Sequence, residues 1–157
     1  MLTRDGWIKR VGRLTAVEST RVREGDEVIA VAPGSTLDHV IFLASDGTAY
    51  TMRINEVPAS SGYGEPVAKF FRLGDQVRVL NAVTTDVRFV PETLKGDRGD
   101  PPGPYLLAVT AQGQTVRLPL AAYRTESTKV GRRYVRLDAR SRHFLRGRRH
   151  RVHDARQ

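Results

Sequence analysis

Three times along this 157-residue chain the same phrase returns: a short strand, a glycine turn, a strand carrying lysine or arginine, and a polar stop. The copies are Thr3-Arg4-Asp5-Gly6-Trp7-Ile8-Lys9-Arg10, Phe42-Leu43-Ala44-Ser45-Asp46-Gly47 on to Arg53, and Val109-Thr110-Ala111-Gln112-Gly113 on to Arg117. A coda begins 12 or 13 residues after each glycine: Glu18-Ser19-Thr20-Arg21-Val22, Ser60-Ser61-Gly62 and Glu126-Ser127-Thr128-Lys129-Val130. One such unit cannot bury its own apolar face, so repeated units must stack on neighbours. The repeat therefore confines the chain to a modular β architecture.

Within each copy the signal is strand. Val28-Ile29-Ala30-Val31 and Val40-Ile41-Phe42-Leu43-Ala44 are apolar runs of strand length, and Tyr50, Met52 and Ile54 alternate with Thr51 and Arg53. A period of two marks a strand with one buried face. Asp46-Gly47 lies between two such runs and signals a hairpin, because glycine accepts the positive φ that a tight turn needs. Gln112-Gly113 and Asp5-Gly6 repeat the signal. A second recurrence, Arg23-Glu24-Gly25-Asp26-Glu27-Val28 and Arg72-Leu73-Gly74-Asp75-Gln76-Val77, lies 49 residues apart and predicts equivalent turns before equivalent strands.

Charge divides the chain unevenly. Residues 1–123 hold 14 Lys+Arg against 14 Asp+Glu, whereas residues 124–157 hold 12 against 3, which is the entire net charge of +9. A polycation of this kind seeks phosphate, through neutralisation and counterion release. We expect a repeat domain over residues 1–139, with an insertion loop at 84–104, and a basic, disordered tail over 140–157. The chain has no cysteine, which removes disulfide frameworks and thiolate metal sites and suits the cytoplasm. No apolar run is long enough for a transmembrane helix, so no membrane contact is expected. His143, His150 and His153 stand among arginines that oppose a divalent cation, and no phosphate-cradling glycine loop occurs. No catalytic residue, cofactor or metal is expected.

In order and spacing, the run Arg4 to Arg10, the strand Arg23 to Val31, Asp46-Gly47 through Pro58, and Gly113 through Tyr123 on to Gly131-Arg132-Arg133 resemble the C-terminal repeats of the A subunits of DNA gyrase and topoisomerase IV. The resemblance covers roughly residues 2–138. It implies an all-β fold, a partial β-pinwheel of repeated antiparallel four-stranded blades, with about two and a half blades here. It further implies a non-catalytic module that binds and bends duplex DNA in the cytoplasm, alongside gyrase or topoisomerase IV core subunits. By resemblance, the phosphate contacts are Lys9, Arg10, Arg53, Arg117, Arg132 and Arg133 on a basic rim. The Gln-Arg-Arg-Gly-Gly-Lys-Gly box of the gyrase branch is not matched; the stretch after Arg13 reads Leu14-Thr15-Ala16-Val17-Glu18-Ser19-Thr20-Arg21. A short arc also leaves open strand edges, through which self-association is expected. A competing reading is an orphan repeat module that binds protein, or a gene fragment without DNA function. The neutral body favours that reading; the basic end and rim cations favour DNA.

Overall fold

The computed structural model describes residues 1–13, 16–90, 99 and 101–137. The expected tail at 140–157 lies outside the described residues. Among the described residues ten strands are formed: β1 (Leu2–Thr3), β2 (Trp7–Ile8), β3 (Val28–Ala30), β4 (His39–Ala44), β5 (Thr48–Arg53), β6 (Glu65–Pro66), β7 (Val79–Thr84), β8 (Tyr105–Val109), β9 (Thr115–Pro119) and β10 (Arg132–Arg133). Among the described residues the only helical pieces are 3-10 turns at Ile54–Glu56, Val67–Lys69 and Leu120–Tyr123, and no helix is long and apolar enough to cross a membrane. The strands make two four-stranded sheets, β3-β1-β2-β6 and β10-β5-β4-β7, and a β8-β9 hairpin. All pairings within them are antiparallel. The expected all-β pinwheel of two and a half blades is what the chain builds. Gly6, Gly47 and Gly113 take φ of +81°, +83° and +81° at the three hairpin turns, the conformation that glycine adopts without steric cost.

Each four-stranded sheet is closed by a strand borrowed from the next repeat. β6 belongs to the second repeat yet pairs with β2 of the first, Trp7 opposite Pro66 and Ile8 opposite Glu65. β10 belongs to the third repeat and pairs with β5 of the second, Arg132 opposite Ala49 and Arg133 opposite Thr48. The coda serines make the joint. Ser127 N–H donates to the Thr51 carbonyl at 3.0 Å, Thr51 N–H donates to Ser127 Oγ at 3.0 Å, and Ser60 N–H donates to the Arg10 carbonyl at 3.2 Å. Immediately before each borrowed strand stands a left-handed glycine, Gly64 at φ +86° and Gly131 at φ +71°. A Cβ on Gly131 would lie 2.8 Å from the Ala49 carbonyl oxygen, and one on Gly64 would overlap the Ile8 carbonyl. The chain can thus swing in against the neighbouring hairpin only where no side chain intervenes.

The middle sheet carries a core on each face. Along β4, Val40, Phe42 and Ala44 join Leu2, Ile8 and Ala30 of the first sheet, with Tyr50 and Met52. Ile41 instead packs with Ala49, Leu120 and Tyr123, and with Leu43, Leu106, Ala108 and Leu118, on the side of the third hairpin. Strand alternation distributes successive residues between the two cores, so the unbroken apolar run 40–44 is a strand buried on both faces. The edge strand β3 lies against β7, so the blades converge there at a hub. β6 and β10 terminate the opposite edges and form the outer rim.

Two expectations need revision. The Gly-Asp doublets are not equivalent in space. Their turns close at Asp26 N–H to Arg23 carbonyl and Val77 N–H to Gly74 carbonyl, and the positive φ falls at Gly25 (+77°) but at Gln76 (+60°). The structural period from residue 25 to residue 76 is 51, and the Arg4 to Glu27 and Ser45 to Arg78 backbone bonds keep it. The stretch at 84–104 also starts inside the packed body. Thr84 ends β7, and Asp86 is buried, accepting the Ser35 N–H at 2.8 Å and the Arg88 N–H and guanidinium. Residues 91–98 and 100 lie outside the described residues.

The Arg88 hydrogen bond holds the Asp86 carboxyl well below its ordinary 3.8. A carboxylate with a depressed folded pKa stabilises the fold above its unfolded value, and that stability is lost as pH falls below it. Urea melts should therefore show the wild type weakening as pH falls below about 4, with a flatter profile for Asp86→Asn. Gly131→Ala should cost roughly 2–3 kcal/mol in the same melts, from strain at positive φ and the clash with the Ala49 carbonyl.

Candidate nucleic-acid interface

The six residues expected at a rim occupy three different environments. Counting from the turn glycines, Lys9 stands where the second repeat has Tyr50, and Arg10 where it has Thr51. The hydrogen bonds agree: Lys9 Nζ donates to the Arg21 carbonyl at 2.6 Å, as Tyr50 Oη donates to the Arg72 carbonyl at 3.3 Å. Lys9 is only 3 % exposed, and its ammonium also donates to the Gly62 carbonyl at 2.7 Å. Burial, with the Arg21 charge, pushes its pKa down. This lysine is a core residue whose polar end ties the first coda to the second, in the place of a buried tyrosine.

Arg10 is half-buried and spends its Nε on the Val57 carbonyl at 3.3 Å. Arg117 lies on β9 opposite Leu107. Leu106, Ala108 and Leu118 point to the second blade, so alternation puts Arg117 and Leu107 on the outward flat face. Its guanidinium stacks 4.4 Å from the Tyr105 ring centroid. Arg10 and Arg117 occupy equivalent positions of the repeat, whereas Arg53 has its equivalent in Gly12. The basic residues of the three repeats thus do not form one evenly spaced series.

Arg53, Arg132 and Arg133 all lie on the second sheet, Arg53 and Arg132 on one face and Arg133 on the other. All three are exposed, Arg132 and Arg133 on the rim strand β10 and Arg53 at the end of β5 beside it. Arg132 is fixed by donating to the Ala122 carbonyl at 2.9 Å and the Glu126 carbonyl at 3.2 Å. Arg53 Nε lies 2.6 Å from Glu126 Oε1. Three further cations join them. Lys129 and Arg136 flank β10 and are exposed, and the Arg72 N–H donates to the Lys129 carbonyl at 2.8 Å, which sets exposed Arg72 alongside. Lys129, Arg133, Arg136 and Arg72 make no side-chain hydrogen bond or ion pair with the described residues. The segment is anchored from beneath by Tyr134, whose buried hydroxyl donates to the Ala44 carbonyl at 2.9 Å and whose pKa is raised by burial. Sequence reading missed Lys129, Arg72 and Arg136, which lie in a coda, before a turn and after the last strand. The signal was the dense run Lys129-Val130-Gly131-Arg132-Arg133.

The first blade's rim differs. There β6 presents Glu65 and Pro66, and Lys69 Nζ is paired with Glu65 at 2.9 Å.

Stacked antiparallel blades, each closed by the following repeat, define a propeller-like repeat protein. The chain belongs to the family described as DNA gyrase C-terminal domain, beta-propeller, whose model matches residues 38–86 and 104–142. It is 29 % identical over 82 residues to the A subunit of DNA topoisomerase 4 from Caulobacter vibrioides, covering 52 % of this chain and 11 % of that protein. It is 25 % identical over 128 residues to the A subunit of DNA gyrase from Borreliella burgdorferi, covering 74 % of this chain and 14 % of that one. The chain therefore spans only a small part of the length of these relatives. Its fold is shared with the E. coli ParC C-terminal domain, at a TM-score of 0.65 and 19 % identity, over 87 % of this chain and 49 % of that one. It is also shared with a crystal structure of the C-terminal domain of DNA topoisomerase IV, at a TM-score of 0.61 and 18 % identity, over 84 % and 39 %.

Lys9→Met keeps the buried stem but leaves two carbonyls without their donor, so it should cost about 1–3 kcal/mol in urea melts. If Lys9 instead met phosphate, the variant would fold normally and flatten the salt dependence of duplex binding.

Proposed function

We propose that this chain is a duplex-DNA-binding module that grips phosphates through the rim of its second blade and has no catalytic residue of its own. The observation that carries this reading is the strand donated by the third repeat. It lines up Lys129, Arg132, Arg133 and Arg136 in the open, with Arg72 beside them. Phosphate contacts of this kind fix position without reading base sequence.

Lys9 is no phosphate contact in this reading, and Arg10 and Arg117 lie off the contact strip. Bending a site of 20–30 base pairs costs on the order of 1–6 kcal/mol. That energy has to come from contacts beyond one blade, for which residues 140–157 supply seven arginines. Within the A subunit of a type IIA topoisomerase, such a module would present duplex to the catalytic core in the cytoplasm. The second reading, a surface for protein, is favoured by the exposed side chains of Leu37, Val87 and Phe89. It separates from the first by showing no affinity for duplex.

The test is fluorescence anisotropy on a 20-base-pair duplex, about two helical turns, over a salt series. Arg132→Ala with Arg133→Ala should weaken binding on all sequences alike. It should also reduce the slope of log affinity against log salt by roughly two, near 0.9 per lost contact. An unchanged slope removes the rim of the second blade from the interface.

A further inference from the structure

Building on that reading, we propose that Glu126 is an internal stand-in for DNA phosphate: it holds Arg53 in a phosphate's stead and so keeps that cation out of the wild-type contact with duplex. His39 and Arg53 face each other across β4 and β5. Both converge on one atom, Glu126 Oε1, with His39 Nε2 at 3.6 Å and Arg53 Nε at 2.6 Å. The carboxylate is delivered by the third repeat, six residues before Arg132, and its own backbone carbonyl accepts from the Arg132 guanidinium. One acid thus stands between two cations of the strip. Carboxylate and phosphate compete for a guanidinium because both offer paired anionic oxygens to its planar fork.

The pair holds Arg53 without being needed by the fold. Arg53 and Glu126 are each about half exposed, 51 % and 47 % by side chain, and an ion pair in water contributes little to stability. Its removal by substitution therefore asks little of the fold. The Arg53 hydrogen bond lowers the Glu126 pKa, so the acid is charged, and competing, at neutral pH. Glu56 adds a weaker pull on Arg53.

Three variants of the whole chain test this, measured by anisotropy on duplex over a salt series with urea melts as a folding control. Arg53→Ala alone should change affinity less than twofold, because the wild-type side chain is occupied. Glu126→Gln should bind more tightly and steepen the salt slope by about 0.9, a further fall of roughly 3.5-fold between 50 and 200 mM salt. Arg53→Ala/Glu126→Gln should return the slope to the wild-type value. Glu126→Gln with an unchanged slope overturns the proposal. So does a double variant that keeps the steeper slope, since the effect would then be general charge and not Arg53. A loss for Arg53→Ala as large as that for Arg132→Ala would overturn it as well, by showing that Arg53 already meets phosphate. The underlying reading fails separately: if Arg132→Ala/Arg133→Ala leaves the slope intact, duplex does not use this rim, whatever Glu126 does.

Discussion

The structure depends on one exchange: each blade is finished by a strand that the next repeat supplies. A three-stranded sheet would leave the outgoing strand of its hairpin with an unpaired ladder edge, the arrangement that most invites aggregation. β6 and β10 fill those edges, and they reach them only because Gly64 and Gly131 let the backbone pass against a carbonyl. The exchange also couples the blades mechanically. Residues 126–135 cannot leave without opening the second sheet, and that segment hydrogen-bonds to Thr51, Gly47 and Arg72 on three sides.

The same exchange decides the chemistry of the surface. A blade's rim is written by the repeat that follows it, so the second blade is basic because the third coda is Lys-Val-Gly-Arg-Arg. The first blade is nearly neutral there because the second coda continues into Gly-Glu-Pro. The first repeat has no strand between β2 and β3 among the described residues. Its coda instead folds back over its own blade, where the Arg21 carbonyl caps Lys9 and Arg23 stacks 4.8 Å from the Trp7 centroid. Closely related phrases thus serve as a cap in one repeat and as an exposed rim strand in another.

Much of the fold was legible. Alternation in Tyr50 to Ile54, the apolar run 40–44 and the three turn glycines located the hairpins, since these signals are local and each has a stereochemical cause. The candidate site was legible only in part. The resemblance placed Arg53, Arg132, Arg133 and Lys9 alike on an exposed rim; the first three are exposed, but Lys9 is buried. Nothing in the residues around it announces that two carbonyls await its ammonium. The Gly-Asp doublets misled for a related reason. Matching letters were taken as matching turns, while the hydrogen bonds place the second turn two residues later, on Gln76.

What the sequence determined by itself was the unit: a hairpin with glycine at positive φ, an apolar face and a polar coda, repeated so that units must stack. Each of those features is imposed by a residue and its immediate neighbours. Which cations share a surface was decided only by the tertiary structure. That outcome turns on pairing between residues 76 positions apart, such as Ser127 with Thr51, and on which face of a strand the register turns outward. A one-residue change of register reverses every side chain on a strand, so whether an arginine joins the rim, a flat face or the core is a property of the assembled sheets.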